Sequence, residues 1–261
     1  MRSLCITSGK GGVGKTTLAI NLGIAIARRG QRVLLIDGDL GMANLNVQLG
    51  VNPRFTIQDV VCGRKALNQV ILSTEYDLDL LPGGSGIAEL ADLGESERHN
   101  VLRGLEELHG YDILIIDTAA GISNNVIRFI LAAEHVILVA TPEPSSLTDA
   151  YGITKVVLAK QRKALNLLVN RVASAAEAGN VVKRLNTAAE RFMSFEFDFI
   201  GYVPLDPLIQ ESIMKQKPHL ILHPRAASAR QIDEMAIQLT GGAGKDIKGG
   251  LGRFLRTLLG H

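Results

Sequence analysis

The sequence predicts an α/β protein: a single doubly wound, mostly parallel sheet with helices on both faces, followed by a C-terminal amphipathic helix. Three observations carry that expectation. Short β-branched and leucine-rich runs recur at residues 4–7, 32–37, 78–81, 112–117, 135–140 and 165–170. Stretches with helical spacing, at 15–29, 97–108, 124–133 and 145–160, alternate with them. A glycine-rich loop joins the first run to the first helical stretch. Continuous apolar strands alternating with helices imply right-handed crossovers that cover both sheet faces. With 261 residues, 46% of them hydrophobic and 21% charged, the chain reads as soluble and globular, and disorder and collagen are excluded.

Taken in order, the first strand begins at once. Met1-Arg2-Ser3-Leu4-Cys5-Ile6-Thr7 leaves no room for the charged, apolar and cleavage regions of a signal peptide. Next comes Gly9-Lys10-Gly11-Gly12-Val13-Gly14-Lys15-Thr16, a full match to G-x-x-x-x-G-K-[ST] between a strand and a helix. Its glycines let consecutive backbone N–H groups surround phosphate oxygens, and the helix adds the positive end of its dipole. Lys15 reaches the outer phosphates and the Thr16 hydroxyl ligates Mg²⁺; Thr17 completes the nucleotide-binding set. Asp37 and Asp39 follow the second strand, and Asp117 ends the strand before it, so both acidic clusters stand at carboxyl ends of strands, where α/β proteins bind ligands. Asn170-Arg171 closes the 165–170 strand. The run 195–203 alternates Phe195, Phe197 and Phe199 with Glu196 and Asp198, which suggests an edge-proximal strand, open to an antiparallel direction, with one wet face. Val203-Pro204-Leu205-Asp206 follows it. His219 and His223 are four apart, but Pro218 and Pro224 flank them, so a loop is expected there and not a helical metal pair. Met42 and Met214 are expected in core or interface packing.

The last helix of the domain is expected over 226–239, giving a domain of residues 1–240. Residues 241–250 hold five glycines and read as a linker. In the tail, 251–261, Leu251, Phe254, Leu255, Leu258 and Leu259 fall at i, i+3, i+4, i+7 and i+8, with Arg253 and Arg256 elsewhere on the wheel. That is the pattern of a cationic interfacial helix. The net charge of +2 and the absence of a strongly basic run give no strong nucleic-acid signal, and 7 Phe, 4 Tyr and no Trp weigh against a stacking platform. Cys5 and Cys62 form no C-x-x-C, so neither a disulfide framework nor a cluster is expected, and a reducing compartment is. No apolar run approaches the roughly 18–20 residues of a membrane-spanning helix, so membrane contact is expected to be peripheral.

The string K-G-G-x-G-K-T-T, with Lys10 as its first lysine, resembles the deviant Walker A ATPases of the MinD/ParA type, and the resemblance runs from end to end of the chain. It implies a P-loop ATPase that uses ATP, ADP and Mg²⁺ and dimerises with ATP, Lys10 crossing to the partner's nucleotide as an arginine finger does. By the same resemblance, Asp39 orients or activates the attacking water, Asn44 helps to position it, and Asp37 and Asp117 hold Mg²⁺ largely through water. Gly9, Gly11, Gly12, Val13 and Gly14 cradle the phosphates. Asn170, Arg171, Pro204 and Asp206 match places where the family contacts adenine. The guanine-selecting N-K-x-D is absent, which favours ATP over GTP.

Within the family, the tail and the missing cluster cysteines point to the membrane-binding branch. The strings Asp37-Gly38-Asp39-Leu40-Gly41-Met42-Ala43-Asn44, Leu81-Pro82-Gly83-Gly84-Ser85-Gly86, Asp117-Thr118-Ala119-Ala120-Gly121-Ile122-Ser123 and Thr141-Pro142-Glu143-Pro144 are similar to the FlhG/FleN subgroup. The resemblance implies a cytoplasmic ATPase switch, peripherally attached to the anionic inner face of the cell membrane, that regulates the number or placement of flagella. A MinD-like division-site regulator and a ParA-like protein that binds nucleoid DNA are the alternatives. Expected partners are a second copy of the chain and FlhF, flagellar C-ring proteins or a flagellar transcription regulator. Many FlhG proteins stimulate the GTPase FlhF with an extension before the first strand; only Met1-Arg2-Ser3 stand there in this sequence, so the resemblance does not carry GTPase activation over.

Overall fold

The computed structural model describes residues 2–39, 44–83, 104, 108 and 110–241. Among them, eight strands form one sheet: β1 (Arg2–Thr7), β2 (Val33–Gly38), β3 (Leu72–Ser73), β4 (Leu78–Leu81), β5 (Ile113–Thr118), β6 (His135–Ala140), β7 (Asn166–Val172) and β8 (Asp198–Pro204). Their order is β3-β4-β2-β5-β1-β6-β7-β8, and every neighbouring pair is parallel except β3 with β4. The helices are α1 (Lys15–Ala27), α2 (Asn44–Leu49), α3 (Ile57–Val61), α4 (Asn124–Ala132), α5 (Pro144–Lys160), α6 (Ala175–Met193), α7 (Pro207–Met214), α8 (His219–Leu222) and α9 (Ala227–Gly241).

Strand side chains alternate between two cores. Leu4 and Ile6 of β1 join Val33, Leu35, Ile113 and Ile115 beneath α1, α2, α8 and α9. Cys5, Leu34, Ile36, Leu114 and Ile116 point the other way, beneath α3, α4, α5 and α6. Strands apolar on both faces are what a doubly wound sheet requires, and this one is doubly wound. α1 is buried from Thr17 to Ile26 between the sheet and α9, which is why its sequence is apolar all round. The switch in strand order lies at β1, with β5 on one side and β6 on the other, and the glycine-rich loop leaves the carboxyl end of that strand.

Three expectations change. The run at 195–203 is an edge strand, but it is parallel to β7 and begins at Asp198; Phe195 and Phe197 precede it as a buried edge-to-face pair with centroids 5.1 Å apart. The long helix α6 returns the chain to the same end of the sheet, so the crossover makes β8 parallel. Residues 219–222 form a one-turn helix, not a loop: Pro218 stands just before its first residue, where a fixed φ and a missing N–H are harmless, and Pro224 comes after it has ended. Met214, expected in core or interface packing, is exposed at the end of α7, which excludes the core of those two. The last helix also runs on to Gly241, the first residue of the expected linker. The rest of that linker, the tail 251–261, Met42 and most of the helix expected at 97–108 lie outside the described residues.

Candidate functional site

The loop from Ser8 to Thr16 bends where its glycines allow it. Gly12 and Gly14 have φ of +73° and +98°, a region costly to any residue with a Cβ. A Cβ on Gly9 would stand 2.3 Å from the Asp149 carbonyl oxygen, because α5 passes directly behind the loop. Gly14 caps α1 without a side-chain hydrogen bond, and no acidic residue occupies the first turn, so the N–H groups of that turn are left for an anion. Lys15 is buried, and its Nζ donates to Ser8 Oγ at 2.9 Å. Burial lowers its pKa, against the upward pull of Asp117 and Asp39.

Asp37 and Asp117 lie side by side, paired in register across β2 and β5. Asp37 Oδ1 accepts the Asp39 N–H at 3.1 Å, whereas Asp37 Oδ2 and Asp117 Oδ1 are buried with no hydrogen-bond partner. Burial, then the charge of Asp117, pushes Asp37 up to about 7; burial also pushes Asp117 up to about 7, against the Thr16 hydroxyl bonded to it and the charge of Lys15. Two adjacent buried carboxylates with orphan oxygens and a hydroxyl beside them form an all-oxygen donor set, which suits a hard dication such as Mg²⁺. Thr16, Asp37 and Asp117 therefore fit the expected metal. Asp39 and Asn44 come together nearby, Asn44 Nδ2 donating to Asp39 Oδ2 at 3.5 Å.

Lys10 is turned outward. Its Nζ is ion-paired with Glu143 and donates to Ser145 Oγ at 2.9 Å, both at the start of α5. The sequence does not mark Glu143 and Ser145 as partners of Lys10, because pairing across 133 and 135 positions has no local signature.

On the other side of the loop is a cavity of about 390 Å³ lined by Gly14, Thr17, Leu18, Asn170, Arg171, Pro204 to Pro207, Ile209, Gln210, Ile213, His219 and Ile232. All four residues expected at the base, Asn170, Arg171, Pro204 and Asp206, are on its wall. Two of them are already engaged. Asn170 Nδ2 donates to the Val13 carbonyl at 2.7 Å and its Oδ1 accepts the Arg171 N–H at 2.9 Å, tying β7 to the phosphate loop. Arg171 sits at a bulge with φ of +61°, a strained conformation for a residue with a side chain. Asp206 caps α7 by accepting the Leu208 N–H at 3.0 Å, and accepts the Ser228 hydroxyl at 2.6 Å. The sequence does not mark His219 as a wall of this cavity or Ser228 as the partner of Asp206, because two further helices, α8 and α9, bring them in.

A central parallel strand, a glycine loop into a helix N-terminus and a carboxylate pair on the next strands define a P-loop nucleotide hydrolase. The chain belongs to the AAA domain family, which matches residues 1–169, and within it to the MinD/ParA-type ATPases. It is 34% identical over 228 residues to the antiactivator FleN of Pseudomonas aeruginosa, covering 87% of this chain and 81% of that protein. It is 32% identical over 262 residues to the flagellum site-determining protein YlxH of Helicobacter pylori, covering 98% and 89%. The septum site-determining protein MinD of Pyrococcus horikoshii, solved with Mg-ADP, superimposes with a TM-score of 0.73 at 29% identity over 93% of this chain and 97% of that one. Among the described residues no helix is long and apolar enough to cross a membrane.

Proposed function

We propose that this ATPase is a switch that dimerises with ATP, attaches to the inner face of the membrane through residues 251–261 and regulates the number or placement of flagella. Its similarity to FleN and YlxH supports the flagellar role. The observation that carries the switch is the pair of lysines: Lys15 buried in the cradle, Lys10 held at the surface by Glu143. A lysine that serves its own site has no reason to stand outside it; one that serves a partner's does.

In the reading we favour, the backbone N–H groups of residues 11–15 and Lys15 bind the phosphates, while Leu18, Ile209, Ile213 and Ile232 pack on the base. Thr16, Asp37 and Asp117 would hold Mg²⁺, which would supply the positive charge that neutralises the phosphates. Asp39, steadied by Asn44, orients a water for in-line attack on the γ-phosphorus. The new P–O bond forms as the bond to the β-phosphate oxygen breaks, giving ADP and inorganic phosphate. Lys10 from the partner stabilises the charge that develops on the transferred group. The decisive experiment is size-exclusion chromatography with anionic-liposome pelleting in ATP or ADP, on wild type and Lys15→Ala. ATP-dependent dimers that pellet, abolished by Lys15→Ala, are expected; a chain that stays monomeric in ATP overturns the switch.

A MinD-like role in placing the division site is the second reading, favoured by the superposition on MinD. A deletion strain separates the two: misplaced or supernumerary flagella against minicells.

A further inference from the structure

Behind the base-side cavity runs a buried hydrogen-bonded chain that the hydrolytic reading does not use. Asp206 Oδ2 accepts the Ser228 hydroxyl at 2.6 Å, Ser228 Oγ lies 2.7 Å from His219 Nε2, and His219 Nδ1 lies 3.2 Å from Ser212 Oγ. Ser212 Oγ also lies 2.7 Å from the Leu208 carbonyl. His219, Ser212 and Ser228 are all buried, and His219 lines the cavity. The chain links four elements: the turn after β8, α7, α8 and α9. The α8 backbone is tied in turn to α1, for Leu220 N–H donates to Asn21 Oδ1, and Asn21 Nδ2 donates to the Thr17 carbonyl.

Proton counting fixes the directions. A carboxylate only accepts, so Ser228 spends its one proton on Asp206 and its oxygen must receive the N–H of His219 Nε2. That leaves Nδ1 as the variable end. Ser212 has one hydroxyl proton and two acceptors, Nδ1 and the Leu208 carbonyl. With His219 neutral, the proton points to Nδ1. With His219 protonated, Nδ1 donates to Ser212 and Ser212 donates to Leu208. Every group is satisfied in both arrangements, and only a hydroxyl rotates.

We propose that His219 is a positioning residue of the base-side cavity, holding α7 as its outer wall, and that nucleotide binding there is coupled to loss of a proton from His219 Nδ1. The proposal rests on the nucleotide reading of the cavity. The coupling follows from the surroundings of the buried ring: a base filling the cavity replaces the water beyond the ring with apolar matter, which disfavours the charged form. The groups facing His219 bear on its charge in both directions. Burial lowers its pKa, Asp206 opposes that, and His223, with ring centroids 5.6 Å apart, adds to it. His223 is itself 3.6 Å from Glu211, which pairs with Lys215; Ser228 comes from α9 and the neutral Asn21 from α1. Because nucleotide favours the deprotonated ring, affinity is full above the His219 pKa and declines as pH falls through it.

The test measures ADP binding by calorimetry from pH 7.5 to 5.5 in wild type, His219→Gln and His219→Leu, with Lys15→Ala as reference. His219→Gln keeps an N–H for Ser228 but does not titrate; it should bind within about twofold of wild type at pH 7.5 and lose about threefold less affinity on acidification. His219→Leu should weaken ADP binding about tenfold, raising KM for ATP with kcat little changed. Identical pH dependence in wild type and His219→Gln, or His219→Leu that binds like wild type, overturns the proposal. If His219→Leu does not fold, the glutamine comparison decides. Wild type that binds ADP no better than Lys15→Ala overturns the nucleotide reading itself, a separate failure.

Discussion

Gly9 shows how one residue ties the phosphate loop to the rest of the fold. An added methyl would meet the backbone of Asp149, at 2.3 Å from the oxygen and 2.4 Å from the carbon, so neither side can move aside as a side-chain tip could. Gly9→Ala should cost about 1–3 kcal/mol of stability and weaken ADP binding about tenfold or more, read by thermal denaturation and calorimetry. Asp117 poses the opposite case, a residue that the proposed hydrolysis needs and folding does not. It is buried beside Asp37 with an oxygen unpaired, an expensive arrangement until a cation shares it. Asp117→Asn should raise the melting temperature of the metal-free protein by about 2–4 °C, the scale of one kcal/mol in a domain of this size. It should also abolish the added stabilisation by Mg²⁺ with ADP, and lower hydrolysis about 10²-fold or more. A variant less stable than wild type without metal would contradict this account of the pair.

At the scale of elements, α5 has two tasks: its flank presses on Gly9, and its start holds Lys10 through Glu143 and Ser145. The ion pair is half exposed, so its hold is weak. Glu143→Ala should lower the protein concentration needed for ATP dimers by no more than about fivefold, in analytical ultracentrifugation. Lys10→Ala should leave ADP affinity unchanged while cutting kcat about 10³-fold. α6 offers a control without function. Gly179 lies in its interior with nothing within 4 Å of where a Cβ would be, so Gly179→Ala should stabilise by about 0.5–1 kcal/mol and leave hydrolysis alone. These elements also show where sequence reading reaches its limit. The phosphate loop, its flanking strand and helix, and the aspartates at the strand ends were legible because each signal is local: a spacing, a period, an acid after an apolar run. The direction of β8 was not, since alternation at Phe195 and Phe197 reflects burial of a connection and carries no sense of direction. The Lys10 partner and the His219 chain were illegible for a stronger reason: they exist only between elements.

The whole molecule places its chemistry on one rim of the sheet and, in its sequence, its charge at one end of the chain. Residues 241–261 carry Lys245, Lys248, Arg253 and Arg256 against Asp246, which leaves the first 240 residues with 24 basic and 25 acidic side chains. Overall near-neutrality thus hides a slightly acidic body with a basic, amphipathic end, a distribution suited to an anionic bilayer and poorly suited to coating DNA. In the proposed switch, a segment of only eleven residues with this amphipathic spacing would hold a bilayer weakly in a single copy. Under the same proposal, two copies brought together by ATP would bind as a bivalent unit, with avidity raised about 10²-fold or more. The attachment should therefore follow the nucleotide and not the lipid alone: anionic liposomes should retain wild type in ATP, release it in ADP, and retain neither the chain lacking 251–261 nor Phe254→Glu. Asp39→Ala, which keeps the cradle but loses the group proposed to orient water, should accumulate on the liposomes in ATP. Sedimentation with DNA that persists after removal of 251–261 would instead place the attachment on the ATPase body and sink the membrane switch.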